Sequence, residues 1–199
     1  MTIRTIIGVL AAASLLSLSA CTSSVEYGEA TRIKVIKQDV GNNELVTASE
    51  KMIRHLITYP TIEDLLQRKR LKLAVSPLTN QTTDNIDTDL IMDSITQQLT
   101  QSGKFSVTDK NSVIQAHAAA TSGELFARVN VSVAKKIAAR TNADYLLYGS
   151  LRNVIRVGNT DKEVYYSMNL HLLNTKTGKL IWQDNEEILK SSKKTLFGI

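Results

Sequence analysis

The sequence predicts an α/β (α+β) domain, a mixed sheet of four to five strands with an antiparallel carboxy-terminal meander and helices packed on it. Three observations predict it. Apolar residues recur at helical spacing between Met52 and Leu99 and again from Val133 to Ala138. Two short alternating runs, residues 71–76 and 104–108, separate these helical stretches, and beyond Tyr145 the period drops from 3.6 to 2 for the rest of the folded chain.

Taken in order, Thr47-Ala48-Ser49-Glu50 has capping-box spacing, and Met52, Ile53, Leu56 and Ile57 then share one helical face. Pro60 ends that helix, and Thr61 caps a second, short one to about Arg70 with Ile62, Leu65 and Leu66 inward. Residues 71–76 form a half-buried strand stopped by Pro77, and residues 79–87 are a loop. Asp87 or Thr88 caps a helix with the buried stripe Leu90, Ile91, Ile95 and Leu99, terminated by Gly103. A short strand over 104–108 precedes a helix over 111–119 capped by Asp109. After a loop over 121–130, residues 131–140 form a helix with Val133, Ala134, Ile137 and Ala138 inward. Residues 145–157 make a long strand, Asn159-Thr160-Asp161 a turn, and residues 164–173 the next strand. Tyr166, Met168, Leu170 and Leu172 face one side of it, while Tyr165, Ser167, Asn169 and His171 face a wet side. Lys176-Thr177-Gly178 turns the chain into a last strand over 180–187, with Trp182 on the covered face. Beyond the two leading helices the order is β-α-β-α-(α)-β-β-β, and no internal repeat is visible.

With 199 residues, 43% hydrophobic and 22% charged, the chain fits one water-folded domain and excludes both wholesale disorder and a multi-span membrane protein. Its amino terminus is organised differently. Arg4 supplies a positive n-region, residues 6–16 are an apolar run too short to span a ~30 Å hydrocarbon core comfortably, and Leu18-Ser19-Ala20-Cys21 resembles a bacterial lipobox. Residues 1–20 are thus expected to be a lipoprotein signal peptide, cleaved between Ala20 and Cys21, with Cys21, the single cysteine, as the lipid attachment site. Thr22 rather than an aspartate follows it, which points to the outer membrane, with the protein facing the periplasm. Residues 21–46 are polar and aperiodic and are expected to be a flexible tether, with a typical coil span of ~27 Å. The globular domain is expected over 47–199. The formal charge of +5 falls to +4 when Arg4 leaves, and the compartment excludes nucleic acid as a partner. The cations Arg68, Lys69 and Arg70, with Lys72 beyond, are read as helix-end charges favoured by the helix dipole.

Catalytic chemistry finds no foothold. His55, His117 and His171 are isolated, so no metal set is expected. No nucleophile elbow, P-loop or dinucleotide fingerprint occurs, and Gly149-Ser150 lies inside a strand. Asp84/Asp87 and Glu186/Glu187 are acidic pairs in solvated loop or strand surroundings, and Tyr145, Tyr148, Tyr165 and Tyr166 are explained by sheet packing. The expectation is a non-catalytic binding protein with no cofactor and no small-molecule substrate.

Several segments, in order, carry a family resemblance: Glu50-Lys51-Met52, residues 72–77 followed by Asn80-Gln81-Thr82, Ser102-Gly103-Lys104-Phe105, Ala143-Asp144-Tyr145-Leu146-Leu147-Tyr148-Gly149, and Thr177-Gly178-Lys179-Leu180-Ile181-Trp182. The chain resembles the LpoB-type penicillin-binding-protein activators, outer-membrane lipoproteins that reach through the peptidoglycan. The resemblance implies a fold similar to the amino-terminal domain of TolB, and as partner the regulatory domain of a class A penicillin-binding protein in peptidoglycan synthesis. The family's long proline-rich tether is absent here. The polar loop with Asn80, Gln81, Thr82 and Asp84, and the wet face of the final strands, are the candidate partner-binding surfaces. The alternative is a structural subunit of an envelope or secretion assembly related to CsgG.

Overall fold

Leu45, Ala48, Met52, Ile53 and Leu56 recur every three to four residues, and this stripe seats the first helix, α1 (Asn42–Thr58), on the final strands. The computed structural model describes residues 42–124, 128–157 and 161–193. The helix starts at Asn42 rather than at the capping-box Thr47, which lies within it and donates its hydroxyl to Asn43 O at 2.9 Å. Burial of Leu45 in the core supports the additional turn. Pro60, expected only to end this helix, also opens α2 (Pro60–Arg68) at a position where its missing N–H is not needed, so Tyr59 and not Thr61 stands at the cap.

β1 (Leu71–Val75) is the centre of the parallel part of the sheet. It pairs with β3 (Phe105–Val107) on one side, Leu73 opposite Val107, and with β4 (Tyr145–Val157) on the other, Ala74 opposite Leu146. Residues 79–81, expected in a loop, form β2 (Thr79–Gln81), parallel to β4 with Asn80 opposite Leu151. β5 (Asp161–Asn174) and β6 (Leu180–Lys193) complete the antiparallel meander. The sheet has six strands in the order β3-β1-β4-β5-β6 with β2 alongside β4, one more than the largest number expected.

Side-chain caps set three helix starts. The Asp87 carboxylate accepts from Leu90 N–H at 3.0 Å to open α3 (Thr88–Gln101). Asp109 does the same from Ser112 N–H at 2.9 Å for α4 (Lys110–Ala120), and Asn130 from Val133 N–H at 2.9 Å for α5 (Val131–Thr141). The buried stripe of α3 is Ile91, Met92, Ile95 and Leu99; Leu90, expected inside, is 43% exposed because it sits in the first turn beside the cap.

The two sheet faces are covered unequally. On the first, α1, α2 and α3 enclose Leu73, Val75, Leu147, Leu151, Tyr166, Met168, Leu170, Leu172 and Trp182. On the second, α4 and α5 pack on Ala74, Leu146 and Leu173, the end of the sheet where β4 begins. From Ser150 to Arg156 the second face of β4 leaves these helices behind.

Candidate functional site

Asn80, Gln81, Thr82 and Asp84 are brought together where β2 runs into the following loop. Asn80 folds that loop: its amide donates to Asp84 O at 3.0 Å, and its Oδ1 accepts from Thr82 N–H at 2.9 Å and the Thr82 hydroxyl at 2.8 Å. The Asp84 carboxylate accepts from Asn153 Nδ2 at 3.2 Å and from the Tyr166 hydroxyl. Gln81 Oε1 accepts from Arg152 Nε at 2.8 Å. The Asn80 and Thr82 side chains thus hold the loop's shape, Asp84 anchors it to β4 and β5, and Gln81 ties it to β4.

Beside this loop lies an open cleft of about 760 Å³, lined among others by Asn42, Pro77, Asn85, Ile86, Asp87 and Asp89. Its lining mixes apolar side chains, Pro77, Ile86 and Ile114, with amides and the acids Asp87 and Asp89, and Asp87 is engaged as a helix cap. The opposite end of the sheet is basic. Lys176 donates to the Asp144 carboxylate at 2.7 Å, with Lys69 at 3.8 Å. The Lys176 hydrogen bond, reinforced by the charges of Lys176, Lys69 and Lys72, holds the Asp144 carboxyl below the usual carboxylate range despite partial burial. Of the cations read along the sequence as helix-end charges, Lys69 and Lys72 therefore share a site with Lys176, 107 residues beyond Lys69, while Arg70 donates to Phe105 O at 3.2 Å.

The histidines stand apart on α1, α4 and β5. His55 meets Asp184 at 3.2 Å, and His117 is fully buried. His171, expected on a wet face, is half-buried against Tyr148, with ring centroids 5.2 Å apart, and burial lowers its pKa. Among the described residues no three His, Cys, Asp or Glu side chains are grouped to hold a metal ion. No described helix is long and apolar enough to cross a membrane. Ala20 and Cys21 lie outside the described residues, as do the expected signal peptide, most of the tether, and Asn159-Thr160 of the expected turn.

The uncovered part of the second sheet face carries side chains in cross-strand rows. Ser150, Asn169 and Asn185 form one row, and Arg152, Ser167 and Glu187 the next. Val154, Tyr165 and Leu189 form the third, and Arg156 lies beyond it opposite Glu163. The Arg156 guanidinium sits 5.0 Å from the centroid of the Tyr165 ring, and the Tyr165 hydroxyl donates to Glu163 at 2.8 Å. The alternation along β5 marks the wet face in the sequence and places Tyr165 on it; Val154 and Leu189 join Tyr165 only through the register of the three strands.

A family model described as peptidoglycan-synthase activator LpoB matches residues 44–188. The LpoB C-terminal domain from Escherichia coli superposes with a TM-score of 0.55 at 18% identity, covering 73% of this chain and 98% of that one. The corresponding domain from Salmonella enterica gives 0.49 at 16% identity, covering 75% and 98%. Lipoprotein GNA1162 from Neisseria meningitidis gives 0.47 at 18%, covering 61% and 84%. No curated protein matches the chain.

Proposed function

We propose, since the chain belongs to the LpoB family of peptidoglycan-synthase activators, that its folded domain binds the regulatory domain of a class A penicillin-binding protein and raises its synthetic rate. The observation that carries this reading is the extent of the family match, which runs from the first turns of α1 to the middle of β6 and so takes in both layers of helices and the sheet. The domain acts through binding alone, without contributing a catalytic group. An activator of this kind needs only to prefer the active conformation of its target. A tenfold preference corresponds to ~1.4 kcal/mol of coupling, which a modest interface supplies.

The proposed setting is the periplasmic face of the outer membrane. Acyl chains on Cys21 would hold the protein there, each buried methylene contributing ~0.8 kcal/mol, and residues between Cys21 and α1 would act as the tether. The test is a glycan-polymerisation and cross-linking assay of class A synthases from the same source, with and without the purified protein. Stimulation of at least one synthase, together with direct binding, is expected. No binding and no stimulation at tens of micromolar would overturn the reading.

A further inference from the structure

We infer that the partner docks on the open half of the second sheet face, across the row Val154–Tyr165–Leu189, through a segment with an apolar centre flanked by carboxylates. This rests on the synthase reading above and names the surface and the chemistry it selects.

The row interrupts a polar pattern. On this face of the meander the neighbouring rows are hydrophilic and bonded among themselves, Ser167 donating to Asn185 Oδ1 at 2.7 Å and Asn169 to Ser167 Oγ at 3.2 Å. Then three consecutive strands each present an apolar or aromatic side chain in register, with Val154 58% and Leu189 54% exposed. Single exposed apolar residues need no explanation, but three aligned on a rigid sheet form a contiguous patch of the kind that marks interaction sites. Among the described residues, the helices on this face pack around Ala74, Leu146 and Leu173 and not on this row. Leu146, which α4 and α5 cover, lies eight residues earlier on β4, about 26 Å away at the rise of a strand.

The charges around the row decide the occupant. Arg152 and Arg156 flank Val154 on β4. Among the described residues neither guanidinium has a carboxylate partner: Arg152 gives its Nε to Gln81, and Arg156 lies against the Tyr165 ring. Glu163, the cross-strand neighbour of Arg156, accepts from the Tyr165 hydroxyl, and Glu187 stands at the β6 end of the Arg152 row, so on this face the positive charges lie on β4 and the negative ones on β5 and β6. Two arginines with spare, fork-shaped donors on either side of an apolar row select an acidic partner segment with an apolar centre. A tyrosine stacked under an arginine and bordered by aliphatic side chains is also the composition that dominates binding energy in protein interfaces. Both are mounted on strands paired along their length, so little ordering is required on docking.

The test measures binding of the full lipidated chain, in detergent, to a class A synthase that the wild type stimulates. Val154→Asp and Leu189→Asp place carboxylates in the row, Arg152→Glu reverses a flanking charge, and Asp89→Lys is the control in the open cleft. All four positions are at the surface, and far-UV circular dichroism with thermal melts checks that each variant folds. Each row variant and Arg152→Glu should weaken Kd at least tenfold, while Asp89→Lys stays within threefold. Folded Val154→Asp and Leu189→Asp proteins that bind within threefold of wild type would overturn the inference and leave the synthase reading standing. A wild-type dimer that these variants convert to monomer without loss of synthase binding would assign the patch to a second copy and also overturn it. A wild type that binds no class A synthase would overturn both.

Discussion

Tyr166, fully buried on the core-facing side of β5, donates its hydroxyl to the carboxylate of Asp84, a loop residue 82 positions earlier in the chain. Asn153 on β4 donates to the same carboxylate at 3.2 Å, so one loop side chain pins the loop after β2 to two strands of the meander. Tyr166→Phe keeps the buried ring and removes one charge-assisted hydrogen bond, which is expected to cost ~1.5–3 kcal/mol. Urea unfolding should show a lower midpoint with an unchanged slope, and amide exchange should quicken around residues 82–86 more than in α3.

Gly149 has no alternative in β4. A Cβ built there would stand 2.3 Å from the Asn169 carbonyl oxygen and 2.7 Å from Leu170 Cδ2, and the carbonyl cannot move without disturbing the β4–β5 ladder. Gly103, by contrast, has open space around it, and only its φ of +67° disfavours a side chain. Gly149→Ala should therefore cost about 3 kcal/mol or more through overpacking, and Gly103→Ala about 1 kcal/mol through backbone strain. Equal losses in parallel denaturation curves would contradict this ranking.

These two positions also mark what the sequence could and could not disclose. Local signals were legible: Asp87 and Asp109 as caps, Gly103 as terminator, and the two-residue alternation that puts Tyr166 and Trp182 on the covered face. Features without local periodicity were not. β2 is three residues long, too short to alternate visibly, and exists because Ser150–Arg152 offers it a pairing edge. Asn42 and Asn43 fall in the stretch read as tether, yet burial of Leu45 outweighs their weak helix propensity. The polar end of β6 lacks apolar alternation and is extended because β5 pairs with it as far as Lys193. The candidate site divides in the same way. Asn80, Thr82 and Asp84 were recognisable as a loop cluster, but their internal bonding, and the alignment of Val154 with Tyr165 and Leu189, depend on register between distant strands.

Asp144 gives a pH dependence with a definite sign. Its carboxyl is held below the usual carboxylate range, chiefly by the hydrogen bond from Lys176, so its contribution to stability is fully present above that range and is lost as pH falls through the lowered folded value. Lys176 and Lys69 are largely exposed, which screens the pair and keeps the contribution under ~1 kcal/mol. Asp144→Asn should be slightly less stable than wild type at pH 7, with the difference closing as pH falls from about 5 toward 2. A gap that widens in acid would show that the carboxylate opposes folding.

The start of α1 sets where the chain tolerates change between anchor and domain. The sequence alone places the end of the tether at Val46, but Val46 follows the buried Leu45 within α1, so the folded unit begins no later than Asn42. Twenty residues then separate Cys21 from Asn42, which as a flexible coil would span only ~25 Å. If that reach limits contact with a synthase across the cell wall, a 20-residue Gly/Ser insertion after residue 41 should leave the melting temperature unchanged and increase stimulation in cells, up to the length at which effective concentration falls again. The same insertion after Val46 would detach Leu45 from the remainder of its helix. Loss of that burial is expected to cost ~2–5 kcal/mol and should appear as a lower melting temperature. Cys21→Ala should release the protein from the membrane fraction and abolish stimulation in cells while leaving that of the purified protein intact. Equal tolerance of both insertions would move the domain boundary beyond Val46. An insertion after residue 41 that folds but leaves stimulation unchanged would show that reach is not limiting.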